Sequence, residues 1–388
     1  MAADRVFLHI GAPKTGTTYL QHLMAANQDV LASQGILYAA GKYHNDRVWA
    51  TRVVRGMDFT DHPKRYAAGA WDRILDQVRS WDGTAVISHE FFSACTGKQA
   101  WRAIQDLAPA EVHLVLTARD YARQAAAVWQ ERLKYGFSAP LSEFTLDAAD
   151  NRTPAWSWRT QDVPAILGRW GRHVPPSQVH LVTVPLPGAG PSGALWERFA
   201  SVIGADPSSC DTRIDAANSS LGLVEAELLR RVGDRASQIM TTPQERAEWI
   251  RDLLANTVLA QGSRERFTVA PEQVSDLRGH AVSAVEKLKQ RGYDIVGSLD
   301  DLVPPDALPD SRRPEDVSAE ELLGTAVETI AGLLAEAKSR EEQQAATLAK
   351  LRASSRRPRG GTGTGRRRRV LGRAKRVARR LRRGLHRA

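Results

Sequence analysis

Val6-Phe-Leu-His-Ile-Gly11-Ala-Pro-Lys14-Thr-Gly16-Thr17-Thr18-Tyr-Leu20 decides the reading of this chain. An apolar run breaks at Gly11, passes through a tight Pro/Gly/Thr turn, and resumes with Leu20, Leu23 and Met24 at helical spacing. The pattern predicts strand, loop, helix. Backbone N–H groups at a helix N-terminus lack intrahelical partners and carry the positive end of the helix dipole, so an anion is their natural ligand. Lys14 adds a full charge, and the hydroxyls of Thr15, Thr17 and Thr18 add donors. The stretch reads as a phosphate cradle.

A Walker A loop places its lysine directly after the second glycine, as G-x-x-x-x-G-K-[ST]. Here Gly11 and Gly16 keep the glycine spacing, but Thr17 fills the lysine position and Lys14 precedes Gly16 by two. That argues against a nucleotide triphosphatase. Pro13-Lys14-Thr15-Gly16-Thr17-Thr18-Tyr19-Leu20 instead resembles the 5′-phosphosulfate-binding loop of the sulfotransferase superfamily, P-K-[ST]-G-T-[ST]-x-L after the first strand. The resemblance implies a P-loop-like sheet and 3′-phosphoadenosine 5′-phosphosulfate (PAPS) as co-substrate, without a metal. It extends over roughly residues 5–290. Thr117-Ala-Arg-Asp120, Trp129-Gln-Glu-Arg-Leu-Lys134 and Leu195-Trp-Glu-Arg-Phe199 are similar to stretches of bacterial, chiefly actinobacterial, proteins of that family.

The 388 residues are 42% hydrophobic and 25% charged, an ordinary globular balance. No apolar run reaches the roughly 18 residues of a membrane span, and the N-terminus lacks a signal-peptide pattern, which predicts a cytoplasmic chain. Cys95 and Cys210 are too few for a disulfide framework. The net charge of +10 is unevenly spread: residues 353–388 hold 15 Lys or Arg and no acid, leaving 39 basic against 44 acidic residues in the rest. Polyanion binding is therefore an argument about the tail alone.

Strands are predicted at Val6–Ile10, Ile36–Tyr38, Thr84–Ser88, Val112–Thr117 and Val179–Val184, alternating with helices. The expected fold is α/β, a doubly wound parallel sheet of about five strands flanked by helices, with a C-terminal helix and a basic tail. Further helices are expected near 98–107, 121–134, 195–204, 221–232, 244–256 and 272–290, the fourth capped by Asn218-Ser219-Ser220. The domain limits follow: an α/β domain at 1–300, a proline-rich linker at 301–316, an Ala/Glu/Leu helix at 317–352 and the tail at 353–388. Along that helix Leu322, Leu323, Val327, Ile330, Leu333 and Leu334 form a stripe able to pair with another helix.

In a parallel sheet the ligand lies beyond the carboxyl ends of the strands. That places the loop, Ser88-His89-Glu90 and Arg119 on one rim, since each follows a strand. Sulfuryl transfer calls for a cation at the bridging oxygen, where negative charge grows as the bond to sulfur breaks, and Lys14 fits that role. The Gly16, Thr17 and Thr18 amides would hold the phosphate. The family resemblance implies that Arg119 binds the 3′-phosphate together with a serine eight residues on; Ala127 stands there instead, and Arg123 or Gln124 on the same helical face would replace it. The resemblance also implies a His or Glu base at the tip of the third strand, here Glu90 or His89. Trp129 and Gln130 are candidates for lining the acceptor or adenine pocket. Arg264 and Arg266 are candidates for a later loop over the 3′-phosphate.

Residues 366–387 place Val370, Leu371, Ala374, Val377, Ala378, Leu381 and Leu385 at helical spacing among arginines. Such a basic amphipathic helix suits the anionic inner face of a cell membrane, with nucleic acid a less favoured partner. The acceptor is expected to be a small molecule, carbohydrate or lipid. Two other readings stay open: a P-loop kinase or triphosphatase, and a non-catalytic membrane or polyanion adaptor with a vestigial loop.

Overall fold

The computed structural model describes residues 3–59, 64–145, 156–191, 193–213, 220–263, 265–305 and 311–356, with side chains to residue 350. Six parallel strands form one sheet: β1 Arg5–His9, β2 Ile36–Tyr38, β3 Thr84–Ser88, β4 Glu111–Ala118, β5 Val179–Thr183 and β6 Asp294–Val296. Their order is β2-β3-β1-β4-β5-β6. The first five match the sequence reading of about five strands, and β6 adds one at the sheet edge. β6 pairs with β5 through His180↔Asp294, Leu181↔Ile295 and Val182↔Val296, and the Asp294 carboxylate lies 2.7 Å from His180 Nδ1.

β1 lies between β3 and β4, in register from Arg5↔Thr84 to His9↔Ser88 on one side and from Arg5↔Glu111 to His9↔Val115 on the other. The chain leaves β1 toward one edge of the sheet and later returns to build the other. The carboxyl end of β1 is therefore the switch point at which open parallel sheets leave a crevice. The cradle loop begins there.

Alternation along the strands buries both faces. Phe7, Val86, Val115 and Val182 pack on one face against Leu20, Leu23 and Met24 of the helix Thr17–Ala26 and Trp196, Phe199, Ala200 and Ile203 of the helix Ala194–Ile203. Full burial of side chains of this size contributes about 1.5–3 kcal/mol each. This layer fixes the first turn of Thr17–Ala26, and with it the amides at its start. On the crevice side the helix Tyr121–Leu133 starts from Asp120, whose carboxylate accepts from the Arg123 amide at 2.8 Å.

The expected helices at 98–107, 195–204 and 272–290 are present as Gly97–Asp106, Ala194–Ile203 and Pro271–Lys289. The segment expected as a helix at 244–256 is Pro243–Glu245 continued by Arg246–Val258 with π-type turns. The helix Leu223–Ala236 is capped by Gly222 with no side-chain bond; two members of the expected cap, Asn218 and Ser219, lie outside the described residues.

The chain divides into two compact units, Met1–Ile330 and Ala331–Ala388. In the first, the proline-rich stretch is packed where it is described: Asp301 accepts from Thr183 Oγ1 at 2.6 Å and Arg198 Nη1 at 2.7 Å, and Leu302 is fully buried. The last helix runs Ala319–Arg356. Leu322 packs with Val317 on Leu223 and Val224, whereas Leu323, Val327 and Ile330 are exposed. Leu334, in the second unit, is exposed as well. The basic helix expected at 366–387 and its membrane or nucleic-acid partners lie outside the described residues, as does Arg264. No described helix is long and apolar enough to cross a membrane.

Candidate active site

The loop between β1 and Thr17–Ala26 is shaped by three left-handed residues, Gly11 (φ +123°), Lys14 (φ +65°) and Gly16 (φ +89°). Two are glycines for a steric reason. A Cβ on Gly11 would sit 2.9 Å from the Glu90 carbonyl oxygen, and one on Gly16 would sit 2.4 Å from Leu195 Cδ2. Lys14 has no such freedom, and a side-chain-bearing residue held there marks a backbone shaped for more than stability. Gly16 occupies the cap position of the ten-residue helix, and no side chain caps it. The first-turn amides are left for a ligand.

The loop is pinned to β4 from below. Ala12 N donates to Thr117 O at 2.9 Å and Thr117 N to Gly11 O at 2.7 Å. Thr15 is buried; its hydroxyl donates to Ala12 O and lies 2.6 Å from Thr117 Oγ1. The expectation that the Thr15 hydroxyl faces the ligand is thereby corrected, because it is spent on closing the turn. Thr17 is buried and Thr18 exposed. Pro13 is buried and its carbonyl accepts from Gln124 Nε2 at 3.2 Å, so Gln124 holds the loop backbone.

Beneath the loop runs a buried polar chain. His9 links Ser88 Oγ (2.8 Å from Nδ1) to Thr117 Oγ1 (3.2 Å from Nε2). Gln21 Nε2 donates to Ser88 Oγ and to Glu90 Oε2, both at 3.3 Å. Burial pushes the His9 pKa down to about 4, only partly opposed by Glu90. In the unfolded chain it would take a proton near pH 6.5, so the folded state binds fewer protons between those values. Its stabilising contribution is full above pH 6.5 and fades as pH falls toward 4, a loss of roughly 3 kcal/mol. Denaturant midpoints at about pH 7.5 and about pH 4.5 are expected to differ, and His9→Gln to narrow the gap. An unchanged gap in the variant would contradict this assignment.

The tip of β3 carries both candidate bases beside the loop. His89 is buried and caps the turn Glu90–Ala94, with Nδ1 accepting from Phe91 N at 3.2 Å. Burial pushes its pKa down, with Glu90 opposing and the nearby Arg47 and Arg52 charges adding to the effect of burial. Burial raises the Glu90 pKa, but His89, the Gln21 amide and the Lys14 charge outweigh it and hold it below the usual carboxylate value. Glu90 is therefore the ionised group of the pair.

Arg119 directly follows β4, as the sequence reading placed it, and donates from Nη1 to Lys14 O at 3.1 Å. Its buried Nε has no hydrogen-bond partner among the described residues. Burial pulls its pKa down to about 10, and the neighbouring Arg123 and Arg266 charges add to that, with Asp120 opposing. Arg123 is tied to its own cap, donating from Nε to Asp120 Oδ2 and from Nη2 to Pro185 O at 3.1 Å. It supplies charge to the Arg119 pocket while its guanidinium is already engaged.

Two expected pocket residues are elsewhere. Trp129 is fully buried, donates to Ala139 O at 3.0 Å and meets Phe267 edge to face. Gln130 is buried and donates to Leu221 O at 2.9 Å. Both serve packing, because their positions on Tyr121–Leu133 turn away from the loop, whereas Gln124 and Glu131 reach it. Glu131, to which the local sequence pattern assigns no role, has its carboxylate 2.6 Å from Lys14 Nζ. His9 and Gln21 were likewise passed over; a histidine inside an apolar strand was the signal for the first. Among the described residues no group of three or more His, Cys, Asp or Glu side chains is placed to hold a metal ion.

No family model matches the sequence. No curated protein sequence matches it. Among solved structures, a sulfotransferase from Alicyclobacillus acidocaldarius aligns with 65% of this chain and 96% of its own, at 13% identity and a TM-score of 0.35. That likeness is too slight to argue from, and the chemistry must be read from the residues themselves.

Proposed function

We propose that the chain is a sulfotransferase that moves a sulfuryl group from PAPS to a hydroxyl or amine of a small-molecule, carbohydrate or lipid acceptor. The observation that carries this reading is the unpartnered buried Nε of Arg119 beside an uncapped helix N-terminus and the loop lysine. A buried guanidinium N–H without a hydrogen bond is costly, and an anion accepting it removes the cost. An anion seat at the Thr17 and Thr18 amides and a second one at Arg119 would suit a ligand with two phosphate groups. Thr17 at the Walker lysine position disfavours a nucleoside triphosphate.

When bound, the donor supplies an activated sulfur whose bond to a phosphate oxygen is exchanged for one to the acceptor. The residues of this chain then have separable tasks. Lys14 neutralises charge gathering on the departing phosphate oxygen, an interaction stronger in the transition state than before it. The Thr17 and Thr18 amides orient that phosphate, and Arg119 fixes the other. Glu90, already ionised, receives the acceptor proton; its low basicity suits a transfer late in the step, once the acceptor oxygen has turned acidic.

Titration of adenosine 3′,5′-bisphosphate beside adenosine 5′-monophosphate tests the Arg119 seat. Arg119→Ala is expected to weaken the bisphosphate by about 1.5–3 kcal/mol, roughly 10- to 150-fold, with little change for the monophosphate. Equal losses for both nucleotides would remove the 3′-phosphate assignment.

A further inference from the structure

The ammonium of Lys14 is already engaged. Its Nζ lies 2.6 Å from Glu131 Oε2, and Lys134 Nζ lies 3.3 Å from the same oxygen. The Glu131 side chain is 13% exposed and that of Lys134 only 2%, against 28% for Lys14. Glu131 stands seven residues, two helical turns, beyond Gln124 and so on the same face of Tyr121–Leu133. That face grips the loop twice: Gln124 through the Pro13 carbonyl and Glu131 through the Lys14 tip. Lys134 would keep a charge beside Glu131 if Lys14 left, whereas Lys14 sits nearest the surface and is the partner freest to move. The Trp156 ring, 5.8 Å from Lys14 Nζ and packed edge to face on Phe91, lies against the same ammonium.

We infer that Glu131 is a positioning residue that holds the Lys14 ammonium away from the phosphate seat until an entering anion takes it over, so that ligand binding is an exchange of ion-pair partners. The inference rests on reading the loop as a phosphate cradle and is independent of which nucleotide the cradle takes. A charge-assisted bond of this length in a half-buried site is among the stronger polar contacts available. Binding must break it, and the apparent affinity is reduced by the fraction of molecules in which Lys14 is disengaged. Glu131 thus lowers affinity for any anion at the loop while keeping the empty lysine from seizing stray ones.

The test is a double-mutant cycle between Glu131→Gln and Lys14→Ala, read by calorimetric titration of adenosine 3′,5′-bisphosphate and, separately, inorganic pyrophosphate. Glu131→Gln is expected to tighten binding by about tenfold in the wild-type background. In the Lys14→Ala background the same substitution is expected to change binding less than about twofold. Because Glu131→Gln removes the carboxylate 3.3 Å from the buried Lys134 ammonium, the cycle is repeated with Lys134→Met added, melting temperature reporting the fold. A gain that persists undiminished without Lys14 would show only the removal of a repelling charge and overturns the inference. Unchanged or weaker binding in Glu131→Gln overturns it too. A coupled gain with pyrophosphate but no binding of the bisphosphate would sink the donor assignment and leave the role of Glu131 standing. Binding of neither probe overturns both.

Discussion

Replacing Lys14 with alanine is expected to cut sulfuryl transfer by about 10²–10³-fold, roughly 3–4 kcal/mol of transition-state stabilisation, as removal of one preorganised charge from a reaction centre does. The fold should survive the change. Glu131 keeps Lys134 as a partner at 3.3 Å, and the loop backbone stays pinned by Gln124, Thr117 and Arg119. Loss of that charge-assisted bond should itself move stability by no more than about 3 kcal/mol, because Lys134 stays beside Glu131. Single-turnover transfer beside thermal melting checks both halves. A variant that melts as wild type and still transfers at the wild-type rate would remove Lys14 from the chemistry.

Gly11→Ala is the change expected to damage the site most through its architecture. The added methyl group would meet the Glu90 carbonyl at 2.9 Å and Ser93 Cβ at 3.3 Å, on a backbone held at φ +123°. Neither neighbour is a flexible side-chain end. Destabilisation of about 2–4 kcal/mol is expected from strain and displaced backbone together. Because the clash pushes on Glu90, phosphate binding and the base position suffer at once. Gly35→Ala is the control: its φ is +77° but nothing lies within 4 Å of the new methyl, so a loss near 1 kcal/mol is expected. Denaturant unfolding of the two variants compares them, and equal losses would contradict a special constraint at Gly11.

The parts of the molecule legible in the sequence were those written locally. Five strands announced themselves as apolar, β-branched runs bounded by turns, and the cradle as a run of consecutive residues. Arg119 was legible because topology places whatever follows a parallel strand at the ligand rim. β6 was not: Asp294–Val296 is three partly exposed residues, and its place in the sheet depends on pairing with β5, 114 residues away along His180 and Asp294. The Lys14–Glu131 contact likewise spans 117 residues. Helical spacing alone left Arg123, Trp129 and Gln130 as candidates for the pocket, and tertiary packing turned Trp129 and Gln130 to Ala139 and Leu221 instead. Thr15 was misjudged for a subtler reason: a hydroxyl in a tight loop can serve the loop's own carbonyls as well as a ligand, and here Ala12 O and Thr117 took it.

Calorimetric titration of the unmodified protein with adenosine 3′,5′-bisphosphate, run beside ATP with Mg²⁺, bears most directly on the proposal. On that proposal the bisphosphate binds one-to-one and the triphosphate does not bind with comparable strength. Tight ATP–Mg²⁺ binding with no response to the bisphosphate would contradict it.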